Sequence, residues 1–365
     1  MKIVVCPDSF KGTLPSHRAA AIIKTAALSV VPDAQIVTVT LADGGEGTCD
    51  ALGAKKKAVR VTGPDGAPVD SFYGVLGDAA VIELAAAAGL SMTSVRDPSL
   101  TTTYGVGELF EAAAAGFRKF ILALGGSATN DCGCGMAAAC GIRFFDAFGE
   151  EFVPVGGTLS RVYGIDASGL DGRLSDAEIT VICDVDNPLF GERGAARVFA
   201  PQKGADERTV ELLDGGARRI ASVIKRDLGI DVSDIPGGGA AGGCGAGAVA
   251  FLGAKLRRGI ETVLDAVDFD SIISGADLVV TGEGKFDGTS ADGKAVSGVA
   301  ARASRLGIPA AVVCGVAEDG AEKLIPGVIG VFPTLRGTPP SVITPEEAER
   351  TLYKTTVEMI KLTLL

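Results

Sequence analysis

The stretch Phe120-Ile-Leu-Ala-Leu-Gly-Gly-Ser-Ala-Thr-Asn-Asp131 decides the fold. Its five apolar residues, too few for a helix and closed by glycine, read as a strand buried on both faces. The glycines turn the chain and the small residues after them open a helix, which makes a strand, turn, helix unit. The same grammar recurs in both directions. Apolar runs at Ile3 to Cys6, Ile36 to Leu41, Ile179 to Cys183, Leu278 to Thr281, Ala310 to Cys314 and Val328 to Phe332 alternate with helical patterns. The clearest helices are Pro15 to Val30 with Ser16 as cap, Thr103 to Ala115, Asp206 to Leu228, Ala246 to Arg258, Lys294 to Leu306 and Pro345 to Leu364. Strands alternating with helices mark an α/β protein.

Two stretches break the pattern. Ala58 to Leu84 alternates apolar and polar residues around Gly-Pro-Asp-Gly66 and Gly77-Asp78, which is antiparallel hairpin material, and Phe144 to Leu174 reads as a second hairpin with loops. A chain of 365 residues fits two domains. Because the last third returns to strand, loop and helix, the expected arrangement is two α/β domains with a cleft between them. The first is discontinuous and Rossmann-like, residues 1–75 plus 270–365, and the second, residues 76–269, is inserted with a mixed sheet.

Composition narrows the function. With 47% hydrophobic residues the chain is not disordered, yet no apolar run reaches the roughly 18 residues of a membrane span. Met1 to Asp8 lacks the features of a secretory signal, so a cytoplasmic protein is expected. The eight cysteines follow no disulfide-scaffold spacing, and Cys132-Gly-Cys134 has no second ligand pair for zinc. His17 is the one histidine, which leaves a Ser-His or Cys-His triad without its base and points to a carboxylate instead. The net charge of -11 and the absence of Trp argue against a nucleic-acid partner, and Lys55-Lys-Lys57 reads as a solvated face.

Six clusters carry chemistry. Asp8, Ser9 and Lys11 follow the first strand, at the sheet edge where α/β enzymes bind ligands, although a turn capped by Asp8 is the competing reading. Asp43-Gly-Gly-Glu-Gly47 sets Asp43 and Glu46 in a loop whose glycines allow backbone approach to a ligand; against it stands a structural turn with Glu46 on the helix dipole. Gly125, Gly126, Ser127, Thr129 and Asn130 form an expected anion site at a helix start, while simple capping by Ser127 or Asn130 remains open. Asp184, Asp186 and Asn187 offer hard oxygens suited to Mg²⁺ held mainly through phosphates, or else a turn before Pro188, and Lys203 in Pro201-Gln-Lys-Gly204 is read toward the same place. The block Gly237 to Gly247 contains no acid and suits cover of nucleotide phosphates by backbone N–H groups, with Gly238, Gly239, Gly242 and Gly243 as candidates; a flexible linker is the alternative. Glu283, Lys285, Asp287 and Lys294 bring acids and bases together as a phosphoryl-transfer site does, or as a surface ion-pair network does.

Taken in order, DSFKGTL, ADGGEGT, TTTYGVGEL, GGSATND, CDVDNPL, PQKGA, GGGAAGGCGAG and TGEGKFD followed by GK make the chain resemble the bacterial glycerate kinase family from its start to about the final helix. The resemblance implies ATP and Mg²⁺, D-glycerate as acceptor and phosphorylation of its 2-hydroxyl. It implies site membership for Asp8, Lys11, Asp43, Glu46, Ser127, Asn130, Asp131, Asp184, Asn187, Lys203, Glu283, Lys285 and Asp287. Asp43 or Asp287 is then the expected base, and Lys11, Lys203 or Lys285 the expected partner of the glycerate carboxylate or of the phosphates. A kinase for another small hydroxy acid or sugar acid, or a nucleotide-binding regulator without turnover, are the rival readings.

Overall fold

The computed structural model of the chain describes residues 1–10, 13–41, 44–291, 295–318, 320, 323, 325–335 and 343–363. In chain order the strands are β1 (Lys2–Val5), β2 (Gln35–Thr38), β3 (Lys55–Thr62), β4 (Pro68–Leu76), β5 (Ala79–Glu83), β6 (Lys119–Ala123), β7 (Arg143–Phe145), β8 (Gly164–Asp166), β9 (Glu178–Cys183), β10 (Lys255–Arg258), β11 (Leu278–Phe286), β12 (Ala310–Ala317) and β13 (Val328–Pro333). The chain divides into two compact units, Met1–Ala42 with Gly259–Leu365, and Asp43–Arg258.

The first unit is built on a five-stranded sheet of order β13-β12-β11-β1-β2 in which every pairing is parallel. A parallel sheet covered by helices needs strands that are apolar on both faces, and Ile3, Val4, Val5, Val279, Val280, Ala311, Val312 and Val313 are all fully buried. The helices Ser16–Val30 and Pro345–Thr363 pack together, with the Arg18 guanidinium forked onto Glu349 at 2.6 and 2.8 Å. The chain runs from β1 outward to β2 on one side and, on its return, from β11 outward to β12 and β13 on the other. Between β1 and β11 lies a topological switch point, the place where open α/β sheets bind ligands.

The second unit carries a six-stranded sheet of order β10-β9-β6-β5-β4-β3, with β3, β4 and β5 antiparallel and β5, β6, β9 and β10 parallel. Its core holds Phe110 against Phe120, ring centroids 5.2 Å apart, and Phe144 edge-on to Phe251. The mixed α/β architecture agrees with the reading of the sequence.

Several boundaries differ. The expected division at 75/76 falls inside β4, which pairs with both β3 and β5, so that the hairpin stays with the second unit and the division lies at Ala42/Asp43. The helix expected over Ala246 to Arg258 ends at Leu252 on the left-handed Gly253, and residues 255–258 instead add β10 to the edge of the sheet beside β9. β11 runs on through the acidic segment to Phe286, because β12 continues alongside and supplies its hydrogen bonds. Ser16 is the first helical residue rather than the cap, which is Pro15. The stretch from Phe144 forms the two-stranded antiparallel sheet β7-β8. All eight cysteines are buried thiols. Among the described residues no helix is long and apolar enough to cross a membrane.

Helix Tyr104–Ala114 lies against β3 so closely that a Cβ on Gly105 would stand 1.9 Å from the Thr62 carbonyl oxygen, while Glu108 accepts the Thr62 N–H at 2.5 Å. In an open helix Gly105→Ala would gain about 1 kcal/mol of propensity. Here the added methyl forces the helix off the sheet, an overpacking cost of about 1–3 kcal/mol on top of cancelling that gain. The expected outcome is a lower urea midpoint for the second unit; a raised midpoint would refute the close docking.

Candidate functional site

Each unit has a cavity at the carboxyl ends of its parallel strands. In the second unit a cavity of ≈ 380 Å³ is bordered by Gly125, Gly126 and Ser127 after β6, by Asp184 after β9, and by Lys203 and Ala241. Gly44 also lines it, which ties the Asp-Gly-Gly-Glu-Gly loop to the same place. Gly125 donates its N–H to Gly44 O at 2.8 Å, and a Cβ on Gly125 would lie 2.4 Å from Gly45 Cα. Two backbones are stacked there, so these glycines serve close approach of loop to loop as much as approach to a ligand.

Lys203 is the electrostatic centre of this cavity. Only 2% of it is exposed; its ammonium donates to Thr129 O at 2.6 Å and to Ser127 Oγ at 3.3 Å, and among the described residues no carboxylate forms an ion pair with it. Burial pulls its pKa down to about 8, opposed by the nearby Asp131 carboxylate. Ser127 Oγ also accepts the Thr129 N–H and shares a hydrogen bond with Thr129 Oγ1, both at 3.0 Å. A buried cation whose protein partners are neutral oxygens is an acceptor site for an anion.

Behind the cavity Asp131 is fully buried and accepts four hydrogen bonds, from Thr103 N and Oγ1 at 2.8 Å and from the N–H groups of Gly133 and Gly135. Burial raises its pKa above the usual carboxylate value, and these donors offset only part of that rise. Its role is to hold the turn, and Thr103 is a residue the sequence reading left unassigned. Asn130 is also fully buried, and neither its amide nitrogen nor its amide oxygen has a partner among the described residues. Thr129 is fully buried and Ser127 is buried beside it in the chain.

In the glycine block much of the described backbone is occupied by the fold itself. Gly238, Gly239 and Gly243 donate their N–H groups to Ile235, Asn187 and Gly239 carbonyls, and a Cβ on Gly242 would lie 2.0 Å from Thr129 O. Ala241, Gly242 and Gly243 form a left-handed turn that only side chains this small can pack against residues 129–132. Its contact with the cavity is made by Ala240 and Ala241. After β9, Asp186 pairs with Arg193 at 3.0 Å and Asn187 donates to Arg193 O at 2.7 Å, so that Asp184 alone of the three lines the cavity. Among the described residues no group of three or more His, Cys, Asp or Glu is gathered to hold a metal ion. Glu46 is exposed on its loop.

In the first unit a cavity of ≈ 440 Å³ lies at the switch point, lined by Asp8 and Ser9 after β1 and by Glu283, Lys285 and Asp287 on and just after β11. Asp8 accepts the Ser9 N–H at 2.6 Å and donates its own N–H to Gly282 O, which anchors the segment to β11. Lys285 bridges Asp287 at 2.9 Å and Glu318 at 3.0 Å, and these carboxylates raise its pKa. Glu283 is buried and Asp287 half-buried. Lys11, Asp43 and Lys294 lie outside the described residues.

A family model for the glycerate kinase family matches residues 3–364. A glycerate kinase of Bacillus subtilis (strain 168) is 45% identical over 350 residues, 93% of this chain and 92% of that protein. A glycerate 2-kinase of Escherichia coli (strain K12) is 44% identical over 97% of this chain and 94% of its own length. A crystal structure from Salmonella typhimurium LT2 carrying the designation glycerate kinase 2 superposes with a TM-score of 0.84 at 42% identity, covering 99% of this chain and 98% of the other.

In the folded chain Lys203 gives up its proton near pH 8, whereas an unfolded lysine keeps it to about pH 10.4. Between the two values the unfolded state binds more protons, so the cost of burying the charge is present in full below pH 8 and is relieved as the pH rises. The stability of the wild type relative to Lys203→Met is therefore expected to increase from about pH 7.5 to about pH 9.5, read from paired urea titrations. A difference that stays flat or falls over that range contradicts the buried charge.

Proposed function

We propose that this chain, which belongs to the glycerate kinase family, transfers the terminal phosphoryl group of ATP to the 2-hydroxyl of D-glycerate, with Mg²⁺, giving 2-phosphoglycerate and ADP. The observation that carries the reading is Lys203, a buried ammonium on the edge of a cavity closed by the glycine turn after β6. Phosphoryl transfer depends on neutralising the charge of the transferred group and on in-line placement, with little covalent help from the protein. Lys203 and the Ser127 hydroxyl are the groups suited to the phosphates.

Mg²⁺ keeps most of its waters and takes one or two carboxylates together with substrate phosphates. The donor set of the cavity fits that mode, with Asp184 as the one carboxylate that lines it among the described residues and the phosphates as the remaining hard oxygens. When bound, the ion would spread the negative charge of the phosphates. Asp186 and Asn187, committed to Arg193, stand outside this role.

Of the two base candidates, Asp287 is tied to Lys285, and a carboxylate stabilised by an ammonium is a weaker proton acceptor. We assign the base to Asp43. Asp287 then orients Lys285, whose ammonium is suited to the carboxylate of the acceptor, with Asp8 and Glu283 as partners of its hydroxyls.

The test is phosphorus NMR of purified protein with ATP, Mg²⁺ and D-glycerate. ADP release that depends on glycerate and a 2-phosphoglycerate signal support the proposal; release without glycerate, or none, overturns it, and a 3-phosphoglycerate signal overturns the regiochemistry. In the same assay Asp43→Asn is expected to lower turnover on the order of 10²–10⁴-fold at saturating substrates. Lys203→Met is expected to raise KM for ATP about 10- to 100-fold, the equivalent of one hydrogen bond to a charged group. In the wild type KM for ATP should rise above about pH 8, and a profile unchanged by Lys203→Met would remove the lysine from the phosphate site.

A further inference from the structure

We propose that Phe199 and Gln202 form the base-recognition part of the nucleotide site, Phe199 giving its ring to the face of the adenine and Gln202 its amide to the adenine amino edge; this rests on the reading of Lys203 as the ammonium that holds the phosphates. Helix Ala195–Phe199 ends one residue before the 3₁₀ turn Pro201–Lys203, and Phe199, Gln202 and Lys203 all line the cavity of the second unit. An aromatic ring, an amide and a cation thus reach one cavity from a single short segment. The backbone between them is fixed, with Ala200 N bonded to Ala196 O at 3.1 Å and Lys203 N to Ala200 O at 3.0 Å. The left-handed Gly204, φ 103°, docks so closely that a Cβ there would lie 2.1 Å from Arg96 O. The backbone spacing of ring and ammonium is therefore set before any ligand arrives.

Phe199 is little used by the packing of the protein itself. Ala196 and Ala200 on either side belong to a cluster with Val210 and Leu213, yet Phe199 belongs neither to that cluster nor to the core that holds β6 and β9. Among the described residues it is the one aromatic on the cavity, and it enters no ring pair and no cation–π contact. Leu90 and Val185 extend the apolar lining. Phosphates gain nothing from such a lining, whereas a purine base stacks on it with its π-face. Gln202 is exposed, and its side chain makes no hydrogen bond among the described residues. An amide offers a donor and an acceptor side by side, the complement of the adenine amino group and the ring nitrogen next to it. Guanine presents two acceptors on that edge, and the amide oxygen would face one of them.

Calorimetry on the full chain with Mg²⁺ and three probes, ADP, GDP and inorganic tripolyphosphate, tests this. The wild type is expected to bind ADP about 10- to 100-fold more tightly than GDP. Phe199→Ala should weaken both nucleotides about 10- to 100-fold while tripolyphosphate stays within about twofold, and Phe199→Tyr should restore them. Gln202→Ala should erase the preference for ADP and leave tripolyphosphate unchanged. Photolabelling of the wild type with 8-azido-ADP should mark the tryptic peptide of residues 198–203. Labelling confined to other peptides overturns the proposal whether or not any variant folds. A folded Phe199→Ala protein that binds ADP as the wild type does, or that loses tripolyphosphate as heavily as ADP, overturns it too, and a wild type indifferent between ADP and GDP overturns the assignment of Gln202. A wild type that binds neither ADP nor tripolyphosphate overturns the reading of Lys203 together with it.

Discussion

Asp131 is the constraint on which the second unit's site depends. A carboxylate out of contact with water is one of the costliest groups a protein can bury, and this one is held by four hydrogen bonds from Thr103, Gly133 and Gly135. Those bonds join the start of helix Tyr104–Ala114 to the turn after β6, and the Met136 N–H, bonded to Thr103 Oγ1 at 2.9 Å, extends the same network into the next helix. The charge also reaches Lys203, where it works against the desolvation that would otherwise neutralise the lysine. One buried anion thus shapes the turn and keeps the nearby cation usable. The left-handed Cys132 beside it, φ 54°, is a conformation that such a network can hold against its intrinsic cost.

Much of the fold was legible because a buried parallel strand has few disguises. Each apolar run became a strand within a few residues of its expected ends, and the hairpin texture of residues 58–84 became β3, β4 and β5. The misreadings came from pairing. Lys255-Leu-Arg-Arg258 has no strand signature and exists as β10 because β9 offers it an edge, and residues 282–286 look like loop until β12 is placed beside them. The domain division failed for the same reason, since the hairpin belongs to whichever sheet pairs with β5. Secondary structure that rests on a partner is invisible in the segment itself.

The site shows a similar split. Ser127 and Asp184 at one cavity, and Asp8, Glu283, Lys285 and Asp287 at the other, were readable as polar residues on or after apolar strands, and Lys203 only through the short segment Pro201-Gln-Lys-Gly204. Thr103 was not, because its bonds run to the buried Asp131 and to the Met136 N–H, and nothing in its own segment announces either partner. The glycine block shows what density alone does not reveal: the bond partners of Gly238, Gly239 and Gly243 and the crowding at Gly242 have glycine letting three stretches of backbone nest.

The discontinuity of the first unit sets an order on assembly during synthesis. β1 and β2 leave the ribosome early, but two parallel strands and one helix have no independent stability, and the neighbour that completes them on the other side is β11, which pairs Ile3 with Leu278. Residues 43–258 can reach their own core while that neighbour is still unmade. The N-terminal segment therefore waits, with Ile3, Val4 and Val5 uncovered, through the translation of more than half the chain. Closure of so long a loop is slow, and an apolar strand exposed throughout is the natural client of a chaperone. The sheet that carries Asp8 and Asp287 is thus completed late, so the acidic cavity is the last of the two to exist in the life of each molecule.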